Sequence, residues 1–180
     1  MKMKTRTITV TAIMVALCVV VQLFKNPGTI PVTGGLINMI IIIDTLYCGL
    51  VSGIIISIAA PVTSFIITQS PMIAAVPMIL PFIMVGNVVI VLFAWAVRCK
   101  KLELNLLPLS LVAGSCAKWG VMTLSIVQWV LPVFGTDLSP KMKPVAATTY
   151  STTQLYAALA GTALTCIIWP IIKLGVKRSR

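Results

Sequence analysis

Two charged residues sit where charge is costly. Asp44 follows a run of four isoleucines, Ile40 to Ile43, and Lys118 lies in another apolar stretch just before Trp119. A charge at bilayer depth costs roughly 2.5–3.5 kcal/mol on insertion scales, so each needs a role. Other reactive chemistry is sparse. The 180 residues include no histidine, and the only acids are Asp44, Glu103 and Asp137. That removes Ser-His-Asp and Cys-His catalysis and every His-ligated metal or haem site, and it leaves little for carboxylate dyads or cages. The five cysteines (Cys18, Cys48, Cys99, Cys116, Cys166) are scattered and form no CxxC, which suits small apolar packing groups. No GxxxxGK[ST] occurs, so ATP binding through a P-loop is excluded. The expectation is a protein that is not an enzyme, carries no metal or cofactor, and moves, anchors or scaffolds something.

The elements that must position these groups are legible from composition. The chain is 59% hydrophobic and 9% charged, against about 45–50% and 25% for a soluble domain. This predicts an all-α integral membrane protein, a single domain over residues 1–180 built as a compact bundle of six transmembrane helices. The spans are expected near 7–24, 36–50, 51–67, 77–97, 106–131 and 149–174. Turn chemistry separates them: Asn26-Pro27-Gly28 and Thr33-Gly34-Gly35, then Gln69-Ser70-Pro71, then Phe134 to Asp137 and Pro140 to Pro144. The stretch 36–67 is too long for one span and short for two, and Gly49, Ser52 and Gly53 offer a turn within it. Pro61 and Pro81 are expected to kink their helices.

Charge supplies the orientation. With the N-terminus inside, ten of the 14 Lys and Arg fall at cytoplasmic ends: Lys2, Lys4, Arg6, Arg98, Lys100, Lys101, Lys173, Lys177, Arg178 and Arg180. Lys25, Lys141 and Lys143 fall outside and Lys118 within a span. This asymmetry predicts an even number of spans with both termini cytoplasmic, so the net charge of +11 reflects topology rather than nucleic-acid binding. The basic head, Lys2 to Arg6, runs into an apolar stretch with no A-x-A-like cleavage site, which reads as an uncleaved first helix.

Three roles are open for the buried charges: pairing with each other, contact with a polar substrate, or snorkelling of Lys118 towards an interface. Asp44, placed mid-span by these boundaries, suits the structural role. Lys118, a lone ammonium beside Trp119, suits a carboxylate-bearing or otherwise anionic ligand. Eleven residues, about three turns, separate Lys118 from Trp129, so a regular helix puts both on one face. Together with Asn87, Gln128, Gln154 and Tyr156 they would line an outward-opening pocket between helices 4, 5 and 6. The alternative is that the aromatic residues anchor at the interface and the small polar ones join helices. The Pro/Gly-rich segments Lys25 to Gly35 and Thr68 to Val76 are long enough to act as lids.

Helix 1 carries Ala12-Ile13-Met14-Val15-Ala16, small residues one turn apart that admit a close partner helix. After it come Pro31-Val32-Thr33-Gly34-Gly35-Leu36-Ile37-Asn38, two closely spaced spans, a Pro-rich fourth helix with Gly86-Asn87, and a basic loop. In this combination the whole chain resembles the substrate-binding (S) component of energy-coupling factor (ECF) transporters. The resemblance implies high-affinity capture of a vitamin or related micronutrient at the bacterial plasma membrane. It further implies partnership with a membrane-embedded coupling protein and two ATPase subunits, with toppling of the S component to release cargo inside. Ala12 and Ala16 would then face the coupling protein, and the missing P-loop is consistent because hydrolysis belongs to the partners.

The competing class is a small multi-span envelope scaffold, MreD-like, with no small-molecule cargo. A lipid-modifying enzyme lacks the necessary groups, and a self-sufficient transporter would show internal repeats. If Lys118 holds an anionic cargo, Lys118→Ala weakens ligand binding by at least about tenfold, roughly 1.4 kcal/mol, while the protein still folds. Equilibrium binding to the purified variant is the check, and an unchanged affinity removes the role.

Overall fold

The computed structural model describes residues 5–26, 28–99, 103–136 and 138–178. Pro27 and Asp137, and the basic residues Lys2, Lys4, Lys100, Lys101 and Arg180, lie outside the described residues. The described chain is helical throughout: α1 (Thr5–Leu23), α2 (Ile30–Cys48), α3 (Leu50–Thr68), α4 (Pro71–Ala75) and α5 (Ile79–Cys99). Next comes α6 (Glu103–Met122), which passes without a break through a π-helical segment, Thr123–Val130, into α7 (Leu131–Phe134). Then follow α8 (Met142–Tyr150) and α9 (Thr152–Arg178). Six stretches are long and apolar enough to cross a bilayer: Thr5–Leu23, Ile30–Cys48, Leu50–Thr68, Ile79–Arg98, Leu106–Phe134 and Met142–Gly175.

The ambiguous stretch 36–67 is two helices, because α2 starts at Ile30 rather than near Leu36. Pro31 falls in its first turn, where the missing N–H costs nothing. The hinge is one residue, Gly49, whose φ of 113° suits glycine. A side chain there would also meet Arg98 Nη1 at 2.7 Å. The early start has two consequences. Most of the segment expected to be a lid, Lys25 to Gly35, is helix, and Asp44 falls in the last turn of α2 rather than mid-span. Pro61 does sit inside α3, whereas Pro81 falls in the first turn of α5, where it takes no partner away from the helix.

Gly34 and Gly35 read as loop residues in the sequence, but they form a helix seam. A Cβ on Gly34 would lie 3.0 Å from Ala157 Cβ, and one on Gly35 3.1 Å from Ala160 Cβ. From the other side, a Cβ on Gly161 would meet Asn38 Cβ at 2.6 Å and Gly35 O at 2.7 Å. Ala157 and Gly161 are one turn apart on α9, so the backbones of α2 and α9 run in close contact there.

The apolar core has two parts. One, at the end where α1 begins, gathers Leu46, Ile56, Val97, Leu107 and Trp169. Trp169 lies far along α9, so α9 finishes at the end where α1 starts (the terminal end). The other, at the opposite (loop) end, packs α4 and α8 against the π-helical segment through Ile73, Val76, Ile126, Val130, Ala146 and Tyr150. Gly161→Ala should destabilise the protein by about 1–3 kcal/mol, because backbone atoms block the new methyl group. Gly120, with nothing within 4 Å of a built Cβ, is the control, and its change to Ala is expected to be neutral or stabilising by up to about 1 kcal/mol. Thermal unfolding in detergent compares the two.

Candidate functional site

The centre of the bundle is a polar layer around Lys118, which is 2% exposed. Its Nζ donates to Asn38 Oδ1 at 2.6 Å and to Asn87 Oδ1 at 2.7 Å. One ammonium thus ties α6 to α2 and α5. Each amide is aimed by its other end. Pro61 has no N–H, so the Ser57 carbonyl four residues earlier loses its helical partner. Asn87 Nδ2 donates to that carbonyl at 3.4 Å, which turns Oδ1 towards Lys118. Asn38 Nδ2 donates to Gly34 O at 2.9 Å, with the same result on α2. Gly86 brings α5 near α6, since a Cβ there would lie 2.7 Å from Met122 Cγ and 3.6 Å from Lys118 Cγ. One turn before Lys118 on α6, Ser115 Oγ lies 2.9 Å from Thr162 Oγ1 and joins α9 to the layer.

The electrostatics are unusual. An ammonium has three donors and no acceptor. Among the described residues Lys118 has two neutral amide oxygens as partners and no carboxylate. Asp44 is not its counter-ion. It bonds Ser52 and lies six residues beyond Asn38 on α2, about 9 Å further along the axis. Towards the loop end the layer is overlain by Met122, Ile126 and Ile79, all 0% exposed. A buried cation under an apolar cover can hold an anionic group strongly, because little water competes.

Of the residues singled out from the sequence, the structure brings together Asn87 and Lys118. Trp119 is exposed, as neighbouring helical side chains point apart, and so it does not flank the ammonium. Trp129 is 52% exposed while Lys118 is buried, so they do not share a face. Trp129 lies inside the π-helical segment, whose wider i→i+5 ring rotates the residues beyond Met122 away from the α-helical register. Trp129 instead packs edge-on against Phe82, with ring centroids 5.6 Å apart, and Phe134, at 6.4 Å. Gln128 and Tyr156 are exposed and Gln154 is half-buried. Ala12 and Ala16 are exposed on α1. Sequence reasoning missed Asn38 and Ser57 as members of the layer. The available signal for Asn38 was an amide within an apolar run, one turn after Gly34. A shallow depression of about 480 Å³, lined by Phe65, Ile66, Gln69 and Ala74, lies beside α4 and contains no charged lining group.

If the two amides solvate the ammonium jointly, single changes at Asn38, Asn87 and Lys118 are not additive. Lys118→Ala should cost about 1–3 kcal/mol of stability by orphaning two buried amide oxygens, a cost not foreseen from sequence. Combining it with Asn38→Ala should restore part of the loss, with a coupling of about 0.5–3 kcal/mol. A double-mutant cycle on thermal or denaturant unfolding measures this, and strict additivity excludes the joint role.

The family model described as "ECF transporter, substrate-specific component" matches residues 6–173. No curated protein and no solved structure matches the chain.

Proposed function

The chain belongs to the substrate-specific components of ECF transporters, and from that premise we propose that it captures a small anionic micronutrient of the vitamin class from outside the cell. Its six spans act as one transmembrane domain in the bacterial plasma membrane with both termini cytoplasmic, as the distribution of Lys and Arg suggests. It hands the cargo inwards together with a coupling protein and two ATPase subunits. The observation that carries this reading is the Lys118 ammonium, buried and held by Asn38 and Asn87 without a carboxylate partner among the described residues. A carboxylate or phosphate of the cargo would supply the missing countercharge and take up the third N–H.

Cargo would enter from the loop end, past the layer of Met122, Ile126 and Ile79. The segments that cover that end, α4 and α8, are short and separate from the spans they pack on. Gln128, Trp129, Gln154 and Tyr156, together with Trp119, are proposed as contacts on the way in or around the bound cargo. Ala12 and Ala16, exposed on α1, are proposed to meet the coupling protein. The family match does not favour the envelope scaffold with no cargo.

Two measurements test the proposal. Mass spectrometry of the small molecule that co-purifies with the protein should find a compound with a carboxylate or phosphate, and Lys118→Gln should lose it. A tagged chain should co-purify with a coupling protein and two ATPases from its own cells. A neutral cargo retained equally by Lys118→Gln overturns the role of the ammonium, and co-purification with envelope proteins alone overturns the transporter reading.

A further inference from the structure

A second buried polar group, at the terminal end, is not used by the cargo site. Asp44 is 0% exposed, Ser52 1% and Thr11 5%. They come from α2, α3 and α1, and their oxygens form a chain. Asp44 Oδ2 contacts Ser52 Oγ, Ser52 Oγ contacts Thr11 Oγ1, and Thr11 Oγ1 donates to Thr7 O at 2.9 Å. Asp44 Oδ1 is buried with no hydrogen-bond partner.

Counting hydrogens favours one state of this chain, the one in which every contact is a hydrogen bond. Three contacts link four oxygens, and each contact needs one hydrogen. An ionised Asp44 offers none, and Ser52 and Thr11 offer one each. If Thr11 donates to Thr7 O and Ser52 donates to the carboxylate, nothing remains for the contact between Ser52 and Thr11. A proton on Asp44 Oδ2 closes the count: Asp44 donates to Ser52, Ser52 to Thr11, and Thr11 to Thr7 O. The orphaned Oδ1 points the same way. Left without a donor, the carbonyl oxygen of a neutral acid costs less than half of a buried carboxylate.

The groups that face Asp44 do not supply the missing positive charge. From α1 comes the buried Cys18, and from α2 comes Cys48, a neutral thiol that faces Asp44 and whose Sγ lies 4.0 Å from Thr7 O. No titratable group of α3 is among its interaction partners. From α5, Arg98 is within electrostatic reach, but its Nη1 is directed to Thr45 O at 3.2 Å, where it caps the end of α2.

We infer that Asp44 is a proton-binding site, occupied in this conformation, and that its proton completes a hydrogen-bond chain fastening α1 to α2 and α3. The consequence falls on α1, of which 17% is buried inside the protein. Besides apolar packing through Met14, Val15, Cys18 and Val21, its other ties are Arg6 Nη2 to Tyr47 Oη at 2.6 Å at the terminal end and, at the loop end, Gln22 Nε2 to Ala60 O at 2.9 Å and Lys25 Nζ to Ser64 Oγ at 2.8 Å. Loss of the proton leaves the chain one hydrogen short and a bare charge in a buried place, which loosens the α1 contact with α2 and α3 at the terminal end, where Arg6 on Tyr47 is the tie that remains.

Infrared spectroscopy of the full chain in a maltoside detergent, which has no ester carbonyl, tests this at neutral pH. The chain has two aspartates and one glutamate, so assignment is direct. The expected result is a carboxylic-acid C=O band that shifts on carbon-13 labelling of aspartate, persists in Asp137→Asn and vanishes in Asp44→Asn. The labelling carries the assignment even if Asp44→Asn does not fold. A spectrum with only carboxylate bands overturns the inference. If, in addition, sodium or lithium raises the melting temperature over choline in the wild type, a metal ion occupies the site in place of the proton.

Discussion

An ammonium in the middle of an apolar bundle has to be solvated by protein, and most of the architecture follows from how that is done. Lys118 cannot reach water, and no acid accompanies it among the described residues. Two amide oxygens carry the load, and each must be delivered at close range from a different helix. That is helped by α5 lying against α6, and α9 against α2, more closely than ordinary side chains allow. The glycines at the crossings provide this closeness. Gly86 lets Met122 and the stem of Lys118 lie against α5, and Gly35 and Gly161 let α9 press α2 inwards behind Asn38. Proline contributes by removing a bond. Pro61 frees a carbonyl at Ser57, and the freed carbonyl orients Asn87. A helix defect on α3 thus sets the direction of an acceptor on α5.

The two buried ionisable groups divide the bundle by depth. The layer around Lys118 crosses the middle and is covered towards the loop end by Met122, Ile126 and Ile79, on which α4 and α8 pack. The group around Asp44 joins α1, α2 and α3 at the terminal end, beneath the helix that presents Ala12 and Ala16. For a substrate-specific component, this places cation chemistry where cargo would sit and acid chemistry behind the helix proposed to meet a partner. They share α2, so a shift of that helix changes both the acceptor offered to Lys118 and the position of Asp44.

Much of this was legible from the chain alone, and much was not. The six apolar stretches, the absence of nucleophile-base pairs and the isolation of Lys118 follow from residue types, which do not depend on the fold. The hinge between the second and third spans was narrowed to a few small residues and proved to be Gly49. Three readings failed for local reasons. Gly34 and Gly35 carry loop propensity, but packing against Ala157 and Ala160 overrides it and begins α2 six residues early. That shift carries Asp44 from mid-span to the helix end. The shared face of Lys118 and Trp129 assumed a regular α-helix, and the π-helical segment breaks the register.

Composition and spacing determined that this protein crosses a membrane, roughly where it does so, and that one lysine is left inside without an obvious reason. These are properties of single residues and of their order along one helix. The tertiary structure decided the partners. Asn38, Ser57, Asn87 and Lys118 are separated by tens of residues, and their meeting depends on close approach at particular glycines and on a carbonyl freed by a proline. Asp44 meets Ser52 and Thr11 rather than Lys118 because it lies six residues beyond Asn38, about 9 Å further along α2. In a bilayer every polar group must find its partner within the protein, so the fold, not the local sequence, chooses which groups meet.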